Sequence, residues 1–543
     1  MIQISNIPSE IQRDGVLMLK GVRATGELRG LMLEMCVEQQ YINRSLRNRE
    51  VVYTFPLPWR AVLLDVEARL GARQLTSKVY TKSGARYEEA ISNGDVTILV
   101  TQNRDYSYTL NLGNLKGKEK CNIRLRYVQK LQIEHDGLRL LIPTVIAPRY
   151  GDGVRDGRLE PHQVPDHDLL TEYPFNISLR LHGELAHGEV TSPSHAINTV
   201  LESVGASDAL TVSLVTPAAL DRDFILNLTN LSHSSRAIWA RDCVKQDETA
   251  VLASFRPTIA TEKNDISVKI LVDCSNSMAG DSINTAKTLL KAILKKLDST
   301  DSLSLSRFGN SVEHLSNNLG APTELTRIKA GRWIEGLKAD LGYARTESAL
   351  YSVYALVQPI SSDVLILTDG NIEAIEATIA SAKSARQRVF VIGLGSSASE
   401  THLRRLAEET LGACDFVSPG ESLESVVSRM LERLRMPRIT KLMILWPGAE
   451  KTVTPLSNAV FDKDTIHAFA LLKHKPEGVA RLIGTYSSQT TPQEIGWASF
   501  SEEAEPGDAL PRMVASLRLH LSANNSLNES GVSMASLAMT IDC

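Results

Sequence analysis

Cysteine is scarce in this 543-residue chain, with only Cys36, Cys121, Cys243, Cys274, Cys414 and Cys543 present. These six lie far apart and form no CxxC pair or Cys/His cluster, which excludes a zinc ribbon, a thioredoxin-type site and a disulfide-stapled fold. Their sparsity suits a reducing compartment. Aromatic residues amount to 5% and are not interleaved with basic ones, so the stacking platform of a single-strand nucleic-acid binder is missing. Charge of one sign is not in excess either. The formal net charge of −4 supplies no global field to draw the chain onto nucleic acid or anionic lipid. No run of eighteen apolar residues occurs, so no membrane span is expected. Residues 1–21 mix both charge signs and contain no apolar core segment, so no secretory signal is read there and a cytoplasmic location is expected. Repeats at solenoid periods and low-complexity tracts are likewise absent.

What is present is an average globular composition, 43% hydrophobic and 22% charged, in a chain long enough for three or four domains. From about 28 to 230 apolar residues alternate with polar ones, as in Leu31, Leu33, Met35, Val37 and in Ile123, Leu125, Tyr127. This period of two reads as half-buried antiparallel strands. The stretch RYGDGVRDGRLEPHQVPDHD at 149–168 is rich in Gly, Pro and charge, placing a domain boundary near residue 155. Near 265 the texture changes to short apolar runs, VKILV at 268–272, DVLILT at 363–368 and RVFVIGLG at 388–395. Helical periodicity separates them, with helices expected at 281–298, 400–411 and 421–435. Strands buried on both faces and joined by helices are the pattern of a parallel α/β sheet. Strand-like texture returns after 439 in ITKLMILW, TIHAFALL and ARLIGTY, followed by an expected helix at 510–521.

The sharpest local feature is VKILVDCSNSM, where a buried strand ends in Asp273 and is followed at +2 and +4 by Ser275 and Ser277. Ligands of open α/β sheets bind beyond the carboxyl ends of the strands, where this loop must sit. Two more oxygen donors occupy matching places: Thr346 in LGYARTESAL, just before a helix, and Asp369 in LILTDG, after another buried strand. Carboxylates and hydroxyls converging in this way make a hard-oxygen pocket suited to Mg²⁺, with Mn²⁺ or Ca²⁺ as alternatives. All five residues reach one crevice only if the sheet is doubly wound.

DxSxS, a later Thr and TDG after a buried strand together resemble the metal-ion-dependent adhesion site (MIDAS) of the von Willebrand factor type A (VWA) domain, over about 265–435. The resemblance implies that Ser275 and Ser277 ligate the metal directly and that Thr346 does so directly or through water. It also implies that Asp273 and Asp369 act largely through bound water and second-layer hydrogen bonds, leaving one coordination position for a partner's Asp or Glu. A cation with few directly bound carboxylates stays under-neutralised and attracts an external one. The run Gly342, Tyr343, Ala344, Arg345 departs from the paired glycines often found before this threonine and puts a guanidinium beside the pocket.

A second resemblance lies in QQYINRSLRNREVVYTFPLP (39–58), SGARYEEAISNG (83–94), LGNLKG (112–117) and LIPTVIAPRYGD (141–152), which together look like the VIT domain of vault and inter-alpha-trypsin proteins. VIT followed by VWA, with DRDFIL at 221–226 before the latter, resembles inter-alpha-trypsin heavy chains, cytosolic VWA-containing relatives and vault poly(ADP-ribose) polymerase. The expected fold is therefore multidomain, α/β plus all-β. A VIT domain occupies 1–155, and a β-sandwich is formed by 156–262 and 437–543. A doubly wound, Rossmann-like VWA domain at 263–436 interrupts that sandwich, and the last segment includes a C-terminal helix and tail.

The function expected is that of a non-enzymatic, metal-dependent protein-binding scaffold capturing an acidic side chain through Mg²⁺. Short microbial VWA proteins, which the chain also resembles, suggest an AAA ATPase partner. One alternative is a structural or matrix component like an inter-alpha-trypsin heavy chain, although no secretory signal or C-terminal processing region is read. A polymerase activity would need a catalytic domain for which no residues remain. Another alternative is a serine hydrolase: Gly280, Asp281, Ser282 and Ile283 match a GDS(L/I) motif, and Asp464 to His467 match the DxxH that supplies acid and base. Against it, Ser282 begins a helix rather than following the first strand, and His467 falls in the β-rich flank.

Overall fold

The computed structural model describes residues 2–4, 17–76, 98–143, 174–453 and 459–518, apart from short breaks inside those ranges. Three sheets share the N-terminal core. The largest has eight strands in the order Ile197–Val204, Ser207–Leu214, Phe175–His182, Leu17–Arg29, Met32–Asn43, Lys120–Lys130, Val62–Leu70 and Arg73–Thr76. A four-stranded sheet contains Arg49–Pro56 and Ser107–Leu115, and another pairs Gly137–Ile142 with Phe224–Thr229. One apolar cluster joins them, with Leu33, Met35 and Leu125 from the first, Phe55 and Leu110 from the second, and Leu140 and Leu226 from the third. The alternation in 120–127 is the buried face of a strand: Cys121, Ile123, Leu125 and Tyr127 point inward while Lys120, Asn122 and Arg124 face out.

Strand pairing divides the chain differently from the expected partition. The boundary near 155 falls outside the described residues, but Phe175–His182 pairs in parallel with Leu17–Arg29, and Phe224–Thr229 pairs with Gly137–Ile142. Residues 175–229 therefore share the N-terminal core. Only Arg236–Arg241 and Thr249–Phe255 join Ile439–Leu445, Glu450–Val453, Ile466–Leu472, Val479–Tyr486 and Gln493–Phe500, in one seven-stranded sheet. The physical reason is that alternation fixes which face of a strand is buried and says nothing about its neighbour. Thr249–Phe255 and Ile466–Leu472 are buried at every residue because both sheet faces are covered. One covering layer includes Met32, Val62 and Val128 from the N-terminal sheet together with Leu510, Met513 and Val514 from a helix at 509–518.

The α/β domain interrupts that sheet. Its strands are β1 (Ser267–Asp273), β2 (Ser302–Phe308), β3 (Val312–His314), β4 (Asp363–Thr368), β5 (Val389–Leu394) and β6 (Cys414–Val417). They lie in the order β3-β2-β1-β4-β5-β6, all parallel except β3. The helices are α1 (Asp281–Lys296), α2 (Glu324–Glu335), α3 (Thr346–Tyr354), α4 (Ile375–Ala385), α5 (Glu400–Glu409) and α6 (Leu423–Arg435). Leu289, Ile334 and Val427 of α1, α2 and α6 pack with Ile270 and Val272 on one face. Leu350, Ile379 and Leu403 of α3, α4 and α5 pack with Leu271 and Ile366 on the other. The sheet is thus doubly wound. From β1 the winding runs outward to β2 and then reverses to β4, so a crevice opens where the carboxyl ends of β1 and β4 diverge.

An ion cluster fixes this domain against its neighbours. Arg433 of α6, almost fully buried, binds Asp464 at 2.8 Å and Glu134 at 3.3 Å, while Arg404 of α5 reaches Glu134 at 2.9 Å. Burial alone would raise the Glu134 carboxyl, but the two guanidiniums outweigh it and hold its pKa at about 2.

Candidate metal centre

β1 delivers Asp273 to the crevice as a fully buried carboxylate. One oxygen accepts the Ser275 backbone N–H at 2.8 Å, and the other accepts the Thr368 hydroxyl at 2.6 Å. Both oxygens are therefore engaged in holding the loop. The same loop brings the Ser275 and Ser277 hydroxyls within 3.1 Å of each other, close enough to share one small cation. Asp369 follows β4, next in the sheet to β1, and its charge acts on Asp273. Burial first, and then that charge, push the Asp273 pKa up to about 6 against the bonds from Ser275 and Thr368. A cation in the crevice reverses that balance by favouring the ionised form.

Thr346 arrives from farther along the chain as the first residue of α3. The segment before it is stitched to the β1 loop by Leu341 N–H to Cys274 O at 3.0 Å and Asn276 N–H to Gly342 O at 2.8 Å. A second tie runs from Arg345 N–H to Gly309 O at 3.2 Å. Gly342 has a φ of 76°, and a Cβ there would stand 2.4 Å from Asn310 Nδ2, so only glycine lets the segment lie so close. Thr346 is 2% exposed and its Oγ1 has no hydrogen-bond partner. A buried hydroxyl without a partner is costly, and a hard cation is the kind of ligand that would satisfy it.

The residue set fits a small, hard cation: two adjacent serine hydroxyls, an orphaned threonine hydroxyl and two carboxylates at the ends of neighbouring strands. Among the described residues no three His, Cys, Asp or Glu side chains group together to hold a metal, as befits a donor set rich in hydroxyls. Arg345 is exposed, with its backbone capping α3. Gly309 and Asn310 carried no signal in the sequence, while Thr368 entered only as the T of TDG and Gly342 only as the start of the run before Thr346.

The hydrolase alternative lacks its base. Ser282 lies in the first turn of α1, whereas His467 is buried in the seven-stranded sheet with Nδ1 bonded to Ser254 Oγ at 2.9 Å and Nε2 to Leu131 O at 2.6 Å. Neither ring nitrogen is left for Ser282, and Asp464 is bound by Arg433.

Residues 19–127 match the vault protein inter-alpha-trypsin (VIT) domain family, and residues 266–416 match the von Willebrand factor type A domain family. The two matches thus place a VIT domain ahead of a VWA domain in this chain, and VWA domains generally mediate protein–protein interactions. Among particular proteins, the chain is similar to von Willebrand factor A domain-containing protein 5A of Homo sapiens, at 24% identity over 84% of this chain and 62% of that protein. It is 23% identical to protein mono-ADP-ribosyltransferase PARP4 of Mus musculus, over 84% of this chain but 24% of that protein. A solved von Willebrand factor type A structure from Catenulispora acidiphila covers 67% of this chain and 82% of its own, at 12% identity and a TM-score of 0.36. The chain therefore spans about a quarter of one curated relative and three fifths of the other. No helix among the described residues is long and apolar enough to cross a membrane.

Proposed function

We propose that the VWA crevice binds Mg²⁺ through Ser275, Ser277 and Thr346, with Asp273 and Asp369 supporting it, and that the bound cation captures an Asp or Glu of a protein partner. The observation that carries this reading is the buried Thr346 hydroxyl without a partner, on a segment tied to the Ser275–Ser277 loop. When bound, the cation supplies an under-neutralised positive charge. The chain's own residues orient it and keep the crevice wall rigid. The role proposed is binding without catalysis, and His467 of the hydrolase alternative is committed elsewhere. Cys36, Cys121, Cys274 and Cys414 are free thiols, which supports a cytoplasmic setting.

The test is capture of partners from native extract by the immobilised chain in Mg²⁺ and in EDTA, with Ser275→Ala and Asp273→Ala alongside. Capture that disappears in EDTA and in both variants, while the circular dichroism spectrum holds, supports the reading. Capture unchanged by EDTA would end it.

A further inference from the structure

The strand β4 has Asp363 at its start and leads to Asp369, so at ~3.3 Å per residue the opposite edge of the sheet lies roughly 20 Å from the metal crevice. There a cavity of about 240 Å³ opens between the ends of α4 and α5, the start of β5 and the segment 437–439 that carries the chain out of the α/β domain. It is larger than the ~150 Å³ that accepts a benzene ring and slightly below the ~300 Å³ at which drug-sized ligand sites begin.

Lys383, Arg386, Arg388 and Arg438 line this cavity against a single lining acid, Glu409. The acids nearby are already shared. Asp363 binds Arg388 at 2.6 and 3.1 Å and Arg438 at 2.7 Å. Glu409 binds Lys383 at 2.6 Å and Arg405 at 2.7 Å. Among the described residues Arg386 has no ion-pair partner, and it stands at a φ of 56°, a backbone conformation where glycine is usual. Positive charge is therefore in surplus around the hole. Gln387, 8% exposed, also lines it, and its Oε1 is buried without a hydrogen-bond partner. Such an acceptor calls for a donor. Ile439, Val460 and Phe461 supply an apolar wall.

We infer that this cavity binds a small organic carboxylic acid whose carboxylate meets the arginine cluster and whose apolar body, one ring or one branched chain, rests on Ile439, Val460 and Phe461. An N–H or O–H of the ligand donates to Gln387 Oε1. Guanidinium groups take carboxylates by paired N–H bonds, and the volume of about 240 Å³ matches a small free acid. This site shares no residue with the metal crevice, so either proposal stands or falls without the other.

N-acetyl-L-leucine carries all three features and serves as the probe, titrated into the full chain by calorimetry and ligand-detected NMR. Saturable binding with a Kd of about 1 mM or tighter is expected for an acid of this size. Its methyl ester, which lacks the charge, should bind at least about tenfold more weakly, as should the acid to Arg386→Glu or Arg386→Ala. Gln387→Leu, or 4-methylpentanoate in place of the probe, should lose about fivefold. Because Arg386 is exposed, its variants should melt like wild type without probe. No saturable binding up to ~10 mM, equal binding of the ester, or full affinity in both Arg386 variants overturns the inference. A leucine-terminated tripeptide binding over about tenfold more tightly than the probe overturns it in favour of a peptide C-terminus.

Discussion

Thr346→Val separates the role of a ligand from that of a packing residue, because its two effects have opposite signs. The threonine is buried with its hydroxyl unbonded, and such a group costs about 1 kcal/mol or more. Valine keeps the shape and has a similar helix propensity at the start of α3. In EDTA the variant should therefore be about 1 kcal/mol more stable than wild type, or roughly 3 °C higher in Tm. With Mg²⁺ at 100 times its Kd, wild type gains about 2.7 kcal/mol. If losing the hydroxyl weakens the metal about tenfold, the variant gains only about 1.4 kcal/mol at the same concentration. The net difference becomes about −0.3 kcal/mol, so the order of stability reverses as Mg²⁺ is added. Calorimetric scans of both proteins across a Mg²⁺ titration measure this. A variant already less stable in EDTA would show that the hydroxyl has a partner in the fold, and an equal Mg²⁺ gain in both proteins would remove Thr346 from the ligand set.

Arg433→Met should cost about 1.5–3 kcal/mol in urea denaturation, because it leaves the half-buried Asp464 without this guanidinium and Glu134 with Arg404 alone; a loss below about 1 kcal/mol would refute the cluster's role. Glu134 has a folded pKa of about 2 against 4.5 unpaired, so its stabilisation is complete above pH 4.5 and disappears as pH falls towards 2. The contribution is at most about 3 kcal/mol, and Glu134→Gln should flatten that acid limb. Gly342→Ala forces a Cβ to 2.4 Å from Asn310 Nδ2 at a φ of 76°. It should destabilise by about 1–3 kcal/mol and weaken Mg²⁺ binding by calorimetry, because the segment carrying Thr346 must shift.

Much of the α/β domain was legible in the chain. The run 363–368 is β4, 268–272 lies within β1, and the helices read at 281–298, 400–411 and 421–435 correspond to α1, α5 and α6 with ends shifted by one or two residues. Those segments carry strong periodicity. Helix α2 escaped because it buries little beyond Ala330 and Ile334, which leaves no full apolar stripe to read. The edge strand Val312–His314 is three residues long and half-exposed, too short for any period to register. At the candidate centre the donors Asp273, Ser275, Ser277, Thr346 and Asp369 were named from sequence, while Thr368 entered only as part of TDG, because nothing local shows that its hydroxyl turns back to Asp273.

Residue type and period were enough to define the kinds of layer and the chemistry available to them: alternating strands, doubly buried strands, and hydroxyls and carboxylates placed at or just past strand ends. Period and residue type are local properties, and local properties survive in a one-dimensional reading. Tertiary structure alone decided which strands are neighbours, and so moved 175–229 into the N-terminal core and left only 236–255 to join 439–500. It alone decided that both Asp273 oxygens are engaged while the Thr346 hydroxyl is not, and that Arg433 faces acids from two other parts of the chain. Those facts depend on segments far apart in sequence meeting at hydrogen-bond distance, which only the packing of complete layers specifies.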